Sequence, residues 1–121
     1  MNLNDQTSIY LQISQMIEDG ILRGAYPEDT QVPSTNELAR TLCINPATAA
    51  KGLNRLIDSG ILYKRRGIGM FVAPGAVAAL TVKRREAFAA QYIRPMLTEA
   101  ERLGIPRDEL QALIFAQPTE E

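Results

Sequence analysis

Positive charge is concentrated in one stretch of the sequence, residues 34–72, although the whole chain has a formal net charge of −1. This stretch contains six lysine and arginine residues and only two acidic ones, and three of the basic residues are consecutive at 64–66. Gly67 and Gly69 follow, and a narrow glycine turn lets neighbouring guanidinium groups come close to a large anion. The pattern predicts binding to phosphate groups; an ordinary solvated basic surface is the alternative interpretation.

Catalytic and metal-binding chemistry finds little support in the composition. The chain has no histidine, which removes His-based acid–base pairs, catalytic triads and His-containing metal sites. Its single cysteine, Cys43, cannot form a disulfide or a zinc site alone, and we expect it to be a small buried apolar residue. Carboxylate pairs such as Glu99 with Glu101 are ordinary on a solvated helix face. We expect neither an enzyme nor a bound metal or cofactor.

Two short helices are predicted at the start of the basic stretch. Ser34 and Glu37 have the spacing of a capping box, in which both side chains accept hydrogen bonds from backbone amides at the helix start. After a tight turn at 43–44, Asn45 can cap a second helix that has Pro46 at its first position. The apolar faces of the two helices consist of Leu38, Ala39, Leu42, Ala49, Leu53, Leu56 and Ile57.

A β-hairpin is predicted behind the second helix. Gly60 fits a left-handed helix end, residues 61–63 and 70–72 have strand composition, and residues 64–69 lie between them. The order of helix, turn, helix and hairpin is typical of a winged helix-turn-helix, a mainly α fold with one small hairpin. We expect this domain to bind double-stranded DNA, because the second helix of such a pair enters the major groove.

The N-terminal part of the second helix is predicted to read the DNA sequence. Thr48, Lys51 and Arg55 lie away from its apolar stripe. Lys51 is the candidate for a guanine edge, Ala47 can pack on a thymine methyl group, and Thr48 is assigned to a phosphate. The candidate DNA contacts are Ser34, Thr35, Asn36, Arg40, Asn45, Ala47, Thr48, Lys51, Arg55, Arg65, Arg66, Gly67, Ile68 and Gly69.

Another helix is predicted ahead of this pair, over residues 9–23 with Ser8 as its cap. Its core-facing stripe recurs at helical spacing and consists of Ile9, Ile13, Met16, Ile17 and Ile21. Residues 28–32 are predicted to be a loop. We expect Tyr10 and Tyr26 to pack at the edge of the core, because neither lies on the basic side.

The sequence predicts a domain boundary after Gly75, which separates a winged-helix domain, residues 1–75, from a C-terminal helical segment, residues 76–121. The second segment has a helical pattern from about 77 to 103, followed by one more short helix. Pro95 falls inside the longer pattern and should kink or split it three or four residues earlier.

Apolar side chains in the C-terminal segment exceed what two short helices can bury against each other. A second copy of the chain is the simplest partner, because a palindromic operator needs two reading heads related by a two-fold axis. The candidate dimer contacts are Phe88, Tyr92, Ile93, Met96, Leu97, Leu103, Leu110 and Leu113. No set of residues in this segment points to a small-molecule effector.

The chain resembles bacterial transcription regulators of the GntR family, and its short C-terminal part resembles the YtrA-type subfamily. The residues that carry the resemblance are Ile9, Tyr10, Gln12, Ile13, Val32, Pro33, Ser34, Glu37, Leu38, Ala39, Asn45, Pro46, Thr48, Leu56, Gly60, Ile61, Arg65, Arg66, Gly67, Gly69, Phe71 and Val72. The family usually has arginine, glycine and valine at the positions of Asn36, Cys43 and Ala49. The first departure removes a charged phosphate contact that the resemblance implies.

The resemblance implies a homodimeric repressor that pairs through its C-terminal helices and occupies a palindromic operator. The alternative, from a different functional class, is a winged helix that serves as a protein-interaction module. The arginines beside the glycine turn favour DNA, since a protein-docking wing does not need them. The single cysteine and the lack of a long apolar run predict a cytoplasmic protein without a membrane partner.

Overall fold

The computed structural model describes residues 8–119 and is mainly helical with one β-hairpin. Its elements are α1 (Ile9–Leu22), α2 (Thr35–Leu42), α3 (Pro46–Asp58), β1 (Leu62–Arg65), β2 (Gly69–Val72), α4 (Ala76–Phe88), α5 (Arg94–Arg102) and α6 (Arg107–Ala116). This order confirms the predicted winged-helix fold with additional C-terminal helices. No helix among the described residues combines the length and the apolar character that crossing a bilayer requires.

The helices α1 and α3 are in close contact. The buried Ser14 hydroxyl on α1 donates a hydrogen bond of 2.7 Å to the Gly52 carbonyl oxygen on α3. A Cβ atom on Gly52 would lie 2.8 Å from both the Ile13 Cγ2 atom and the Tyr10 carbonyl oxygen, which is too close for packed atoms. Glycine at this position therefore allows the two helices to approach each other.

One hydrophobic core joins the first three helices, the hairpin and the start of α4. Its members are Ile13, Ile17, Ile21, Val32, Leu38, Ala39, Ala49, Leu53, Leu56, Ile61, Leu62, Val72, Ala76 and Leu80. The predicted stripes of α1, α2 and α3 all contribute to it, which confirms their helical periodicity. Ser8 lies directly before α1 as predicted, but its side chain makes no capping hydrogen bond.

The hairpin has longer strands and a shorter turn than the sequence predicted. The antiparallel register runs from the pair Leu62 and Val72 to the pair Arg65 and Gly69. Only residues 66–68 form the turn between the strands. Cross-strand backbone pairing, which extends as far as the turn permits, sets these boundaries rather than side-chain composition.

Residues 30–32, which the sequence predicted to be loop, pair with the other edge of β2. The Val72 amide donates a hydrogen bond of 3.0 Å to the Thr30 carbonyl, and the Val32 amide donates one of 3.0 Å to the Met70 carbonyl. The free backbone groups on the edge of β2 are thereby satisfied. The segment that leads into α2 is consequently held against the hairpin.

The structure divides into two compact units, one up to Val82 and one from Lys83. The first two turns of α4 belong to the first unit, because Ala76 and Leu80 are 2% and 0% exposed and lie in its core. The compact unit thus extends past the boundary predicted after Gly75. The Pro74-Gly75 pair correctly indicates the end of the hairpin, but the compact unit extends into α4 because Ala76 and Leu80 are buried in its core.

A carboxylate from a distant part of the sequence binds the start of α4. The Glu28 side chain accepts hydrogen bonds from the amides of Gly75, at 2.7 Å, and Val77, at 3.3 Å. The first amides of a helix have no partner within the helix, and negative charge is favourable at this end. Glu28 therefore caps α4 from the loop that follows α1.

The C-terminal unit contains a π-helical turn at Ala89–Ile93, directly before α5. Pro95 is the second residue of α5 and has no amide to donate to the carbonyl four residues earlier. The widened turn lies at the interruption predicted there.

Ala100 of α5 and Leu110 of α6 are 6% and 8% exposed. Leu110, which the sequence analysis predicted to be a dimer contact, is therefore buried in the structure.

Several other apolar side chains of the C-terminal unit are open to solvent. The exposed members of the predicted dimer set are Phe88, Tyr92, Met96, Leu103 and Leu113. Ile93 and Leu97 are half-buried. Ile114 and Phe115, which the prediction of the dimer set left out, are 52% and 80% exposed. Exposed large apolar side chains that occur together in this way are typical of a surface that binds another protein chain.

Leu80→Ala tests whether α4 belongs to the first core. We expect the free energy of unfolding to fall by about 2–5 kcal/mol, the usual cost of emptying a buried leucine site. Val82→Ala is the matched control, because Val82 is 57% exposed on the same helix; we expect a change within about 0.5 kcal/mol. Urea unfolding of the full-length variants, followed by circular dichroism, measures both. Equally small losses would contradict the assignment of α4 to the core.

Candidate nucleic-acid interface

The predicted capping box is present at the start of α2. Ser34 Oγ accepts a hydrogen bond of 3.1 Å from the Glu37 amide, and Glu37 Oε1 accepts one of 3.1 Å from the Ser34 amide. These bonds satisfy two helix-end amides without solvent. Thr35 is half-buried, whereas Asn36 and Arg40, which lie one turn apart, are exposed. The outer face of α2 thus presents an amide and a guanidinium group.

The turn between α2 and α3 requires a left-handed residue. Cys43 ends α2 with a φ of 55°, and its side chain is exposed. The prediction that Cys43 is buried is therefore wrong. Ile44, the next residue, packs against the core in its place. The left-handed backbone also explains why glycine is usual at this position in the family that the chain resembles.

The helix α3 begins as the sequence predicted. Asn45 Oδ1 accepts a hydrogen bond of 2.8 Å from the Ala47 amide, and Pro46 occupies the first helical position. The candidate contacts Asn45, Ala47, Lys51 and Arg55 are exposed, and Thr48 is half-buried. The structure therefore presents these side chains on the face that turns away from the core.

The exposed face of α3 has one further member that the sequence interpretation missed. Asn54 is exposed and follows Ala47 by seven residues and Lys51 by three, which places it on the same helix face. An asparagine on such a face can pair with the edge of an adenine. The helical spacing of Asn54 from Ala47 and Lys51 was the signal in the sequence that could have identified it.

Tyr10 lies beside this face, which contradicts the prediction that it stays away from the basic side. The Lys51 Nζ atom is 4.1 Å from the centroid of the Tyr10 ring, a cation–π contact. The prediction failed because Tyr10 precedes Lys51 by 41 residues and only the packing of α1 on α3 brings them together. A shallow concave surface there is lined by Tyr10, Ala47, Ala50, Lys51, Asn54, Arg55 and Asp58.

The hairpin of β1, β2 and the turn at 66–68 is the wing of the fold, and stacked side chains on one of its faces stiffen it. The rings of Tyr63 and Phe71 stack with centroids 5.7 Å apart, and the Arg65 guanidinium lies 5.2 Å from the centre of the Phe71 ring. The Tyr63 hydroxyl donates a hydrogen bond of 3.1 Å to Asp29 Oδ1. Desolvation, followed by the hydrogen bond and the charge of Asp29, raises the pKa of Tyr63 against the opposing effect of Arg65.

The tip of the wing is held by Gln31. Its side-chain amide donates a hydrogen bond of 3.1 Å to the Ile68 carbonyl. Gly69 has a φ of 149°, and a Cβ atom there would collide with the Gln31 side chain. Arg66 and Gly67 occupy the exposed turn, and Ile68 is 56% exposed beside them. The turn thus presents one free arginine on a fixed backbone.

All of the predicted DNA contacts lie in the first unit. The pairing of residues 30–32 with β2 holds the segment before α2 beside the wing, and α2 and α3 share the same core. The exposed candidate side chains include guanidinium, ammonium and amide groups. These groups suit phosphates and base edges.

Comparison with known proteins agrees with this arrangement. The sequence model of bacterial regulatory proteins, gntR family, matches residues 9–72, which is more than half of the chain. The chain is 28% identical over 108 residues to the HTH-type transcriptional repressor YtrA of Bacillus subtilis, and the alignment covers 89% of this chain and 82% of that repressor. The chain spans only 30% and 31% of the length of two other curated relatives.

Solved structures give the same result. A GntR family transcriptional regulator from Listeria monocytogenes matches with a TM-score of 0.76 and 26% identity, covering 96% of this chain and 100% of that one. The DNA-binding domain of AraR, solved in complex with operator ORX1, matches with a TM-score of 0.53 and 27% identity, covering 60% of this chain and 93% of that one. The family expected from the capping, reading and wing residues is confirmed: this chain belongs to the gntR family of bacterial regulatory proteins.

Proposed function

We propose that this chain is a sequence-specific transcriptional repressor that acts in the cytoplasm by binding a palindromic operator as a homodimer. The observation that carries the proposal is the exposed polar face of α3 beside an arginine-bearing wing on one compact unit. The similarity to YtrA, which is named a repressor, and to the operator-bound domain of AraR supports it.

In this proposal α3 enters the major groove with its N-terminal end towards the bases. Lys51 faces a guanine, Ala47 packs on a thymine methyl group, and the half-buried Thr48 contacts a phosphate. Asn54 lies one turn further along and extends the same reading face. The affinity then depends on the few base pairs that this face meets.

The wing and α2 supply contacts that do not depend on base identity. Arg66, at the exposed turn, contacts the DNA backbone beside the neighbouring groove. Arg65 is less available for DNA, because its guanidinium group lies over the Phe71 ring. Arg40 and Arg55 approach phosphates from the two helices. These contacts set affinity and register, whereas α3 sets the choice of sequence.

The homodimer is proposed from the apolar surface of the C-terminal unit. Phe88, Tyr92 and Leu103 are 51%, 62% and 66% exposed, and Phe115 is 80% exposed. Burying one side chain of this size is worth roughly 1.5–3 kcal/mol, so several on each side of a two-fold axis can offset the cost of association. A second copy also supplies the second reading head that a palindrome requires.

A gel shift with a palindromic fragment from the chain's own promoter region tests operator binding. We expect a specific complex whose log affinity falls with log salt by about 0.9 for each phosphate neutralised. A fragment of equal length with scrambled half-sites is the control. A salt-independent affinity, or equal affinity for both fragments, would contradict the proposal and favour a protein-interaction module.

Arg66→Ala should weaken binding to every operator sequence and flatten the salt slope by about one for each half-site, because a phosphate contact is lost without loss of base reading. Arg102→Ala is the control, because this substitution removes the same charge from an exposed position in the C-terminal unit. Fluorescence anisotropy over a salt series measures both variants. A slope that changes equally in both would mean that net charge, and not the wing, determines it.

Asn36→Arg should tighten binding and steepen the salt dependence by about one for each half-site, because a charged donor replaces a neutral amide on the exposed face of α2. Asn36→Gln has a longer side chain without charge, and we expect its slope to equal that of the wild type. The same anisotropy series provides the measurement. An unchanged slope in Asn36→Arg would place this side chain away from the duplex.

Leu103→Glu should convert the dimer to a monomer and weaken operator binding by about 100-fold or more, because two linked half-sites gain from effective concentration. Thr81→Glu introduces the same charge at an exposed position of the first unit, and we expect it to remain dimeric. Analytical ultracentrifugation at matched concentrations gives the oligomeric state. A wild-type chain that is already monomeric would refute the dimer.

A further inference from the structure

The Lys51 ammonium group has its contact partner on a different helix. It lies 4.1 Å from the centre of the Tyr10 ring, inside the limit of about 6 Å for a cation–π contact. Tyr10 is half-buried on α1, and Lys51 is exposed on α3. The contact therefore joins a helix that anchors the core to the helix that carries the predicted base contact.

The position of the Tyr10 ring follows from the packing of α1 on α3. The Tyr10 carbonyl oxygen is one of the atoms that a Cβ on Gly52 would meet at 2.8 Å, and Gly52 is the neighbour of Lys51 in sequence. Ser14, one turn after Tyr10, is hydrogen-bonded to the same glycine. The start of α1 is thus fixed at the point from which the Lys51 side chain leaves α3.

An unrestrained lysine reads a base poorly. Its ammonium is a point charge on a flexible four-carbon stem, without the planar fork that directs an arginine. Such a group reaches a nearby phosphate as readily as a guanine edge. A partner that confines the ammonium to one region favours a single contact and reduces the entropy lost on binding.

We propose that Tyr10 is a positioning residue for base readout, whose ring holds the Lys51 ammonium and so determines the base pair that Lys51 prefers. The inference rests on the proposed function, namely operator binding through α3. The acidic residue of the surrounding surface, Asp58, lies about two helical turns beyond Lys51. The ring, and not a carboxylate, is therefore the group placed to restrain the ammonium.

Two substitutions separate the ring from the hydroxyl. Tyr10→Leu removes the ring and keeps apolar bulk on α1, while Tyr10→Phe keeps the ring. Dissociation constants of the full-length proteins are measured for the operator and for operators with each half-site base pair changed in turn. We expect Tyr10→Leu to lose about two- to fivefold of discrimination at one base pair, as suits an exposed cation–π contact. Tyr10→Phe should keep the wild-type preference.

A double-mutant cycle tests whether the effect passes through Lys51. Lys51→Met keeps the length of the side chain without its charge, and it should lose discrimination at the same base pair. Adding Tyr10→Leu to Lys51→Met should change the preference no further. Additive effects, or effects at different base pairs, would overturn the proposal, as would a Tyr10→Phe variant that behaves like Tyr10→Leu.

The salt slope distinguishes positioning from a direct phosphate contact. Tyr10→Leu leaves every charge in place, so its slope should equal that of the wild type. NMR gives a readout that does not depend on the stability of Tyr10→Leu. The ε-methylene protons of Lys51 should be shifted upfield by the ring in wild type and in Tyr10→Phe, both free and bound to the operator. Loss of that shift in the bound state would overturn the proposal.

The wild-type measurements separate the two levels of inference. If the wild type binds no operator selectively, the proposed function and the role of Tyr10 both fail. If the wild type binds selectively and Tyr10→Leu retains the full preference at every base pair, only the role of Tyr10 fails.

Discussion

The hydrogen bond from the Ser14 hydroxyl to the Gly52 carbonyl sets the distance between α1 and α3. The helices come so close at this point that a side chain on residue 52 would not fit. An unpaired hydroxyl in that core would cost about 1–3 kcal/mol, so this bond also fixes the register of the two helices. This contact determines which residues of α3 face the core, and the residues on the opposite side of the helix form its exposed face. Ala47, Lys51 and Asn54 lie on the exposed face because the opposite face of their helix packs into the core.

The strand β2 plays the corresponding part for the wing. It pairs with β1 on one edge and with residues 30–32 on the other, and its Phe71 ring lies under Arg65. A two-stranded hairpin alone is only marginally stable in water, so the third segment and the stacked side chains supply the stiffness. Glu28, in the same connection, caps α4. One short segment therefore holds the wing tip, the entry to α2 and the start of α4.

The two units differ in what they expose, and this difference matches the proposed division of labour. The first unit buries most of its large apolar side chains and contains the stretch, residues 34–72, in which six basic residues face only two acidic ones. The C-terminal unit instead leaves large apolar side chains such as Phe88 and Phe115 open. A surface of the first kind suits nucleic acid, and a surface of the second kind suits another protein chain.

The sequence by itself determined the features whose causes lie within one turn of a helix. The capping box of Ser34, the Asn45 cap, the core stripes and the order of helices and hairpin were all predictable, because groups three or four residues apart must meet in a helix. Tertiary structure alone decided the cap that Glu28 provides, the exposure of Cys43 and the contact of Tyr10 with Lys51. These contacts and exposures depend on the packing of segments far apart in the chain, and local spacing carries no information about them.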